Sequence, residues 1–211
     1  MRSRMKPHFK AWEKDYRRKG AVWRGTTNLT LDLPKGSRVL ELGCGNGKTA
    51  SALSLQPVEL HAIDVSPTAA KLCAELVKRV GGKAVVKQMD GLSLNYKDGF
   101  FDAVVAFHYF AHFYADERLQ AVREARRVLK KGGKLYFKEF GSKDFRNGKG
   151  AQVEEKTFKR GKGIITHYFT IGEAKELLKP LTVETAETEN WTVCLRGVEY
   201  ARQLVKISAA K

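Results

Sequence analysis

The segment Val39-Leu-Glu-Leu-Gly-Cys-Gly-Asn-Gly47 joins a short apolar run to three closely spaced glycines. Such a turn predicts a buried strand that passes directly into a helix and lets the backbone approach a ligand. Its spacing differs from a dinucleotide-binding fingerprint, because the last glycine follows the second by two residues instead of three. Gly47-Lys48-Thr49 also lacks the glycine that a phosphate-binding loop places five residues before its second glycine, because Leu42 stands there. The turn therefore predicts a ligand without phosphate.

Strand and helix patterns alternate outward from this turn. Short apolar runs without polar alternation, typical of a parallel sheet, are separated by amphipathic segments. Strands are predicted at 39–42, 60–64, 84–89, 101–107 and 134–140, and helices at 48–55, 66–80 and 116–131, the last ended by Gly132-Gly133. A further helix at 170–178 precedes strand candidates at 182–189 and 199–207. The order predicts a doubly wound, mostly parallel α/β fold with right-handed crossovers and an antiparallel C-terminal hairpin at the sheet edge.

The charge is concentrated in three segments. The chain has 211 residues, 43% of them hydrophobic, which suffices for one domain with a buried core, and its formal net charge is +16. Residues 1–24 hold nine Lys/Arg against two acids, residues 123–138 seven against one, and residues 143–162 seven against three. We expect a near-neutral body over 31–211 with a basic aromatic arm (1–30), a basic helix and a basic, glycine-rich loop at about 141–168, formed as an insertion or mobile loop. Nucleic acid is the first candidate partner.

The cysteines and the hydropathy pattern bear on the compartment. Cys44, Cys73 and Cys194 are odd in number and too scattered for a disulfide framework or a zinc knuckle, so no metal site is predicted. No apolar run approaches the roughly 20 residues needed to span a bilayer, and the charged start is no secretory signal. We expect a cytoplasmic protein that does not contact membrane.

Two carboxylates follow the second and third predicted strands. Asp64, at the tip of the second strand, is positioned to accept hydrogen bonds from ribose hydroxyls, so the ligand is expected to be a nucleoside. Asp90 could accept from an adenine amino group, with the backbone of Gly91 and Leu92 facing the edge of the ring. The alternative is a glycine-rich turn that only packs a helix.

Five segments in this order resemble the class I S-adenosylmethionine-dependent methyltransferases. They are V-L-E-L-G-C-G-N-G, H-A-I-D-V-S, Q-M-D-G, F-D-A-V-V-A-F-H and R-V-L-K-K-G-G-K-L-Y-F, between Val39 and Phe140. The resemblance implies S-adenosylmethionine as cofactor, with the glycines under its methionine and ribose parts and Glu41 facing its amino end. It further implies that Asp64 holds the ribose and Asp90 reads adenine. The cofactor-binding residues predicted are Glu41, Gly43, Cys44, Gly45, Gly47, Asp64, Val65, Asp90, Gly91 and Phe107.

The acceptor side begins with His108, directly after the fourth strand. This imidazole could orient or deprotonate an acceptor, or it could be a hydrogen-bonded residue of the pocket wall. The segment Phe137-Lys138-Glu139-Phe140-Gly141, the basic loop and His167-Tyr168-Phe169 together resemble the tRNA 3-methylcytidine methyltransferases. That resemblance implies RNA, in particular tRNA, as substrate. Its departures, Lys-Arg-Gly-Lys-Gly at 159–163 and a shorter arm, leave the base and the modified atom open. His108 and Glu139 are the catalytic candidates, and the substrate candidates are Trp12, Trp23, Lys138, Arg146, Arg160, Lys162 and Tyr168.

The arm interleaves Trp12, Tyr16 and Trp23 with basic residues. Cationic groups neutralise phosphates while aromatic faces stack on an unpaired base. Alternatively, Trp12 and Tyr16, four residues apart, dock an amphipathic helix on the body. Arg24 is a candidate partner for the methionine carboxylate of the cofactor.

Three functions compete at this point. The leading hypothesis is a methyltransferase that acts on a base in tRNA or other structured RNA. Some tRNA methyltransferases of this fold need a small activating protein subunit. The second is a small-molecule or protein methyltransferase of the same fold. The third is a non-catalytic nucleic-acid-binding module, which the presence of Glu41, Asp64 and Asp90 disfavours. The sequence leaves the oligomeric state open.

Overall fold

A computed structural model describes residues 5–22, 27, 29, 31–161 and 163–211. Its helices are α1 (Pro7–Lys19), α2 (Lys48–Leu53), α3 (Pro67–Arg79), α4 (Ala115–Val128) and α5 (Ile171–Leu177). Its strands are β1 (Arg38–Leu42), β2 (Glu59–Asp64), β3 (Val85–Gln88), β4 (Phe101–Phe107), β5 (Leu129–Phe140), β6 (Ala151–Glu154), β7 (Thr157–Arg160), β8 (Ile164–His167), β9 (Thr182–Leu195) and β10 (Val198–Ala210). None of the described helices is long and apolar enough to cross a membrane.

The main sheet has the order β3-β2-β1-β4-β5-β10-β9. The first five strands run parallel, and β10 and β9 are antiparallel, as the sequence predicts. Apolar clusters cover both faces: Leu40 and Val104 face one cluster, while Val39 and Val105 face the other. The predicted doubly wound fold is therefore confirmed, and the carboxyl ends of β1, β2 and β4 meet at one edge.

Helix α4 ends earlier than predicted. Leu129 already has an extended backbone and pairs with Phe101 of β4, so β5 begins there instead of at residue 134. The prediction that Gly132-Gly133 ends the helix is wrong. These glycines lie inside β5, where the register against β4 shifts, and a Cβ at Gly133 would approach the Asp102 and Lys130 carbonyl oxygens to 3.0 Å.

The basic segment after β5 is an ordered subdomain instead of a mobile loop. Strands β6, β7 and β8 form a small antiparallel sheet, in which Thr157, Phe158 and Ile165 are buried. The His112 Nδ1–H donates to the Ile165 carbonyl oxygen at 2.8 Å and ties this sheet to the loop after β4. Because the segment is rich in glycine and lysine, its sequence did not indicate these buried positions.

Helix α1 docks on the body. Phe9 and Tyr16 are buried, and the Glu13 carboxylate accepts hydrogen bonds from Ser66 Oγ at 2.6 Å and Thr68 Oγ1 at 2.9 Å, at the start of α3. Tyr16 therefore docks the helix on the body, as the alternative interpretation of the arm predicts. Trp12 is half-buried, with its ring centroid 4.7 Å from that of His112.

Candidate active site

A cavity of about 370 Å³ lies beyond the carboxyl ends of β1, β2 and β4. Helix α1 contributes Phe9, Trp12 and Tyr16 to its wall. Acidic groups lie at the end formed by β1, β2 and the segment after β3, whereas the opposite end is lined by cations from β5, the loop after it and β10. Lys48 of α2, next to the glycine turn, is a further cation of the wall, and the cavity is otherwise acidic at one end and basic at the other.

The glycine turn after β1 forms the floor of the acidic end. Gly43 and Gly45 have φ angles of 68° and 55°, in the left-handed region that favours glycine. The Gly45 N–H donates to Asp64 Oδ2 at 2.9 Å, which joins the turn to the tip of β2. A Cβ at Gly43 would approach the Tyr109 ring to 2.9 Å. The turn therefore favours glycine at both positions because of their left-handed backbone, and at Gly43 also because the Tyr109 ring leaves no room for a side chain.

Gly47 does not line the cavity, and its prediction as a cofactor contact needs correction. It precedes α2 with a φ of 92°, and a Cβ there would meet the Cys73 Cα of α3 at 3.0 Å. Its lack of a side chain lets α2 and α3 pack closely.

Within the described residues, neither Glu41 nor Asp64 at the acidic end forms an ion pair with a cationic side chain. Glu41 is buried, and its Oε2 has no hydrogen-bond partner in the described part of the chain. Burial raises the pKa of Glu41 well above its ordinary value, assisted by Cys73 and Asp64. Burial likewise raises the pKa of Asp64 to about 6, although the backbone N–H groups of Ser66 and Gly45 lower it. A cationic ligand at this end would restore the charged state of both groups.

Tyr109 spans the acidic end and was missed in the sequence. A Cβ at Gly91 would lie 2.0 Å from its hydroxyl oxygen, so the Asp90-Gly91 turn and the phenol are in close contact. The hydroxyl is buried and has no hydrogen-bond partner among the described residues. Asp90 accepts the Leu92 N–H at 2.9 Å. An aromatic residue two positions after a strand is common, so nothing in the sequence singled out Tyr109.

His108 marks the change to the basic end. Its φ of 54° is unusual for a non-glycine residue, its ring lies 4.2 Å from the Phe140 ring, and 31% of its side chain is exposed. Burial lowers its pKa to about 3, with contributions from Lys138, His112, Arg146 and Arg202. Its Nδ1 has no hydrogen-bond partner within the described residues. The imidazole is thus neutral and able to accept a proton or hydrogen bond.

Three cations line the basic end. Lys138 Nζ lies 3.9 Å from the centre of the Phe107 ring, and the Arg146 guanidinium carbon lies 3.9 Å from the centre of the Phe140 ring. The third is Arg202 of β10, which the sequence did not identify. The antiparallel pairing of Leu204 with Phe140 sets Arg202 just past the end of β5. This register depends on tertiary pairing, which explains why the sequence alone did not reveal it.

Glu139 is not in the cavity wall, and its prediction as a catalytic group needs correction. It is fully buried and accepts the backbone N–H groups of Tyr109 at 2.8 Å and Phe110 at 2.6 Å. Burial raises its pKa to about 8 against the effect of these donors. Its Oε2 lies 4.0 Å from His108 Nδ1. Glu139 therefore positions the loop that carries His108 and Tyr109.

The other predicted residues divide into three groups. Those that line the cavity are Glu41, Gly43, Cys44, Gly45, Asp64, Val65, Asp90, Gly91, Phe107, His108, Trp12, Lys138 and Arg146. Trp23, Arg24 and Lys162 lie outside the described residues.

Tyr168 and Arg160 form the third group, because neither lines the cavity. Tyr168 is fully buried, with ring centroids 6.4 Å from Phe140 and 6.3 Å from Phe158. Its burial leaves no face for a base to stack on, so the prediction of a direct substrate contact is wrong for Tyr168. Arg160 ends β7 in the small sheet and is half-buried, so its role in substrate binding stays a prediction.

The acidic end fits S-adenosylmethionine. This cofactor is a nucleoside without phosphate that carries an ammonium and a sulfonium, and the site offers carboxylates with unused acceptor capacity. The unpartnered Glu41 Oε2 suits an ammonium donor, while Asp64 and Asp90 suit ribose and adenine. Gly43 and Gly45 add no side chain of their own to the floor, and the Tyr109 ring packs against Gly43.

Comparisons with known proteins agree with this fit. Residues 40–137 match the family model of a methyltransferase domain. The 27-O-demethylrifamycin SV methyltransferase of Amycolatopsis mediterranei is 32% identical over 130 residues, 54% of this chain and 45% of that protein. A tRNA (carboxymethyluridine(34)-5-O)-methyltransferase of Xenopus tropicalis is 34% identical over 113 residues, 53% of this chain and 17% of that protein. The chain thus spans less than half the length of these two relatives.

The likeness extends to a solved structure. A SAM-dependent methyltransferase from Methanosarcina mazei superimposes with a TM-score of 0.67 at 25% identity, covering 84% of this chain and 94% of that one. S-adenosylmethionine is the cofactor indicated by the fold, by the matched segment 40–137 and by the carboxylates at the acidic end of the cavity. The chain therefore has the fold of the class I methyltransferases, and its residues 40–137 are similar to a methyltransferase domain.

Proposed function

We propose that the protein is an RNA methyltransferase that modifies a nucleotide base, with tRNA as the leading substrate. The observation that carries this proposal is the polarity of the cavity. Lys138, Arg146 and Arg202 line the end opposite the cofactor carboxylates, where an acceptor must enter. Nucleic acid supplies both the negative charge and a flat base for such a site.

The described residues suggest how the transfer is assisted. When bound, S-adenosylmethionine supplies an electrophilic methyl group on its sulfonium. Positioning and exclusion of water contribute much of the rate enhancement of such a displacement. Trp12, Phe107 and Phe140 provide apolar walls that hold a planar acceptor and exclude water. His108 is neutral at physiological pH and can accept a proton or hydrogen bond from the acceptor.

The surface and the relatives add support. Lys10 and Lys14 are exposed on α1, on the side of the helix that is turned away from Trp12 and the cavity, and within the described residues they form no ion pair. They are suited to contact phosphates of a bound RNA that continues across the outer side of α1. The name of the Xenopus relative states that it acts on tRNA.

A transfer assay tests the proposal. The protein is incubated with tritiated cofactor and fractionated tRNA or rRNA that lacks its natural modifications, and labelled nucleosides are then identified by mass spectrometry. Incorporation into one nucleoside is expected. Absence of label from every RNA pool, under conditions where cofactor binding is measured directly, would contradict the proposal.

A second candidate is a small-molecule methyltransferase. It is favoured by the position of α1, whose Phe9, Trp12 and Tyr16 form an aromatic part of the cavity wall. The Amycolatopsis relative is named for such a substrate. The salt dependence of acceptor KM separates the two candidates, because a small acceptor with one charge loses little affinity between 50 and 200 mM salt, whereas RNA loses much more.

A further inference from the structure

The basic end of the cavity contains two arginines that share one buried carboxylate. Asp144 is 2% exposed and accepts Arg146 Nε at 2.7 Å and Nη2 at 3.0 Å. Its Oδ2 also accepts Arg202 Nε at 2.7 Å. Against the effect of burial, these hydrogen bonds lower the pKa of Asp144, so it is ionised. The cluster therefore combines two positive charges with one negative charge.

Several donors of this pair remain unused. Within the described part of the chain, Arg146 Nη1 and both terminal nitrogens of Arg202 form no hydrogen bond to protein. Both guanidinium groups line the cavity while their side chains are only about one-fifth exposed, 19% for Arg146 and 20% for Arg202. Their orientations are fixed by Asp144 and by aromatic contacts with Phe140, whose ring centre lies 3.9 Å and 5.7 Å from the two guanidinium carbons.

We infer that Arg146 and Arg202 form a subsite for an oxyanion carried by the acceptor. A purely structural role would need only one arginine to neutralise Asp144. The second leaves a net positive charge, with N–H donors pre-oriented at the cavity wall. Paired planar guanidinium groups with fixed orientation are suited to a carboxylate or phosphate, which accepts two parallel hydrogen bonds. Lys138, at the same end, adds a further positive charge.

The subsite lies beside the group best placed to act on the acceptor. Phe140 contacts Arg146 and also stacks on His108, so an anion bound by the arginines would hold the acceptor next to this imidazole. The inference rests on the proposed function, because it requires the acceptor to enter this cavity. The oxyanion has two possible sources: a carboxylate attached to a modified base, or a phosphate of the RNA backbone.

An anion titration tests the subsite without RNA. The protein, saturated with S-adenosylhomocysteine, is titrated with inorganic phosphate and separately with acetate at constant ionic strength, and the thermal midpoint is followed. Arg202→Gln is expected to raise the half-saturating anion concentration at least fivefold. The matched control is Arg123→Gln, on the exposed face of α4, which removes the same charge without affecting the titration. An unchanged titration in folded Arg202→Gln would overturn the inference.

Conservative variants guard against misfolding. Arg202→Lys and Arg146→Lys preserve the charge but lack the planar fork, so each is expected to bind the anions two- to fivefold more weakly while keeping the thermal midpoint without anion. Affinities equal to wild type in both lysine variants would overturn the role of the paired guanidinium groups.

A second arm identifies the source of the oxyanion. RNA that has accepted labelled methyl is treated with mild alkali. A carboxylate that is itself methylated yields an ester, which releases volatile labelled methanol, whereas a methyl group on a base nitrogen or carbon stays with the nucleoside. Either result, together with a KM for RNA that rises at least fivefold in Arg202→Gln, supports the subsite and assigns its source. If no RNA accepts label, the proposed function fails, and the anion titration still decides the subsite.

Discussion

Glu41 has no protein partner for one of its carboxylate oxygens, within the described residues, although it is buried. Its raised pKa means that the unfolded chain ionises first, so folded stability decreases as pH rises above about 4.5. Glu41→Gln removes this cost and should raise the thermal midpoint of the cofactor-free protein at pH 7. The same change removes the acceptor for an ammonium group, so affinity for S-adenosylhomocysteine should fall at least tenfold, about 1.4 kcal/mol. Thermal unfolding measures the midpoint, and calorimetric titration measures the affinity for S-adenosylhomocysteine. If both quantities rise or both fall in Glu41→Gln, the proposed role of Glu41 is contradicted.

Glu139 is expected to act through its neutral form. With a pKa of about 8, it is protonated at pH 7, and folding stability should decline between about pH 4.5 and 8 as the unfolded state alone releases this proton. Glu139→Gln mimics the protonated form, so it should flatten this decline and keep kcat within about threefold. Glu139→Ala leaves the Tyr109 and Phe110 N–H groups without their acceptor and should cost about 2–4 kcal/mol. Urea unfolding across pH provides the measurement, and a hundredfold loss of kcat in folded Glu139→Gln would instead indicate catalysis by the carboxylate.

At the level of elements, the Glu13 side chain ties α1 to the start of α3. Against the effect of burial, hydrogen bonds from Ser66 and Thr68 lower the pKa of Glu13. Glu13→Ala should therefore release α1 from the start of α3, at a local cost of about 1.5–3 kcal/mol. Hydrogen exchange within residues 7–19 should accelerate at least tenfold, while exchange in β1 and β4 stays unchanged. Lys14→Ala, on the exposed side of the same helix, is the control, and equal exchange in the two variants would contradict the docking role.

Elements buried on both faces were the most predictable from sequence. Strands β1, β2 and β4 are continuous apolar runs whose carboxyl ends carry Glu41, Asp64 and His108, so fold and cofactor site followed together. Strand β9 was underestimated because it is mostly exposed on both faces and shows no apolar alternation. The turn at Arg196-Gly197, with φ angles of 53° and 78°, lets the hairpin extend further than predicted. Arg202 reaches the cavity through this hairpin, which is why its role could not be predicted locally.

At the scale of the whole molecule, the net charge of +16 divides into cations already paired and cations still available. Arg127 of α4 donates to Glu124 and Asp98, and Lys130 of β5 pairs with Asp102, so part of the basic segment 123–138 stabilises the body. Lys10 and Lys14 instead lie on the exposed side of α1, the helix whose other side lines the cavity, and form no ion pair within the described residues. They are therefore candidates for phosphate contact outside the cavity.

This division makes the salt dependence of RNA binding position-specific. Removing one cation that neutralises a phosphate reduces the slope of log affinity against log salt by about 0.7–0.9. Lys10→Gln with Lys14→Gln should therefore lower the slope by about 1.5, weaken tRNA binding at low salt and leave S-adenosylhomocysteine affinity unchanged. Filter binding between 50 and 300 mM salt measures the slope. Arg123→Gln with Arg79→Gln removes the same charge from exposed positions on α4 and α3, and equal slope changes in the two double variants would show that RNA responds to net charge alone instead of binding across α1.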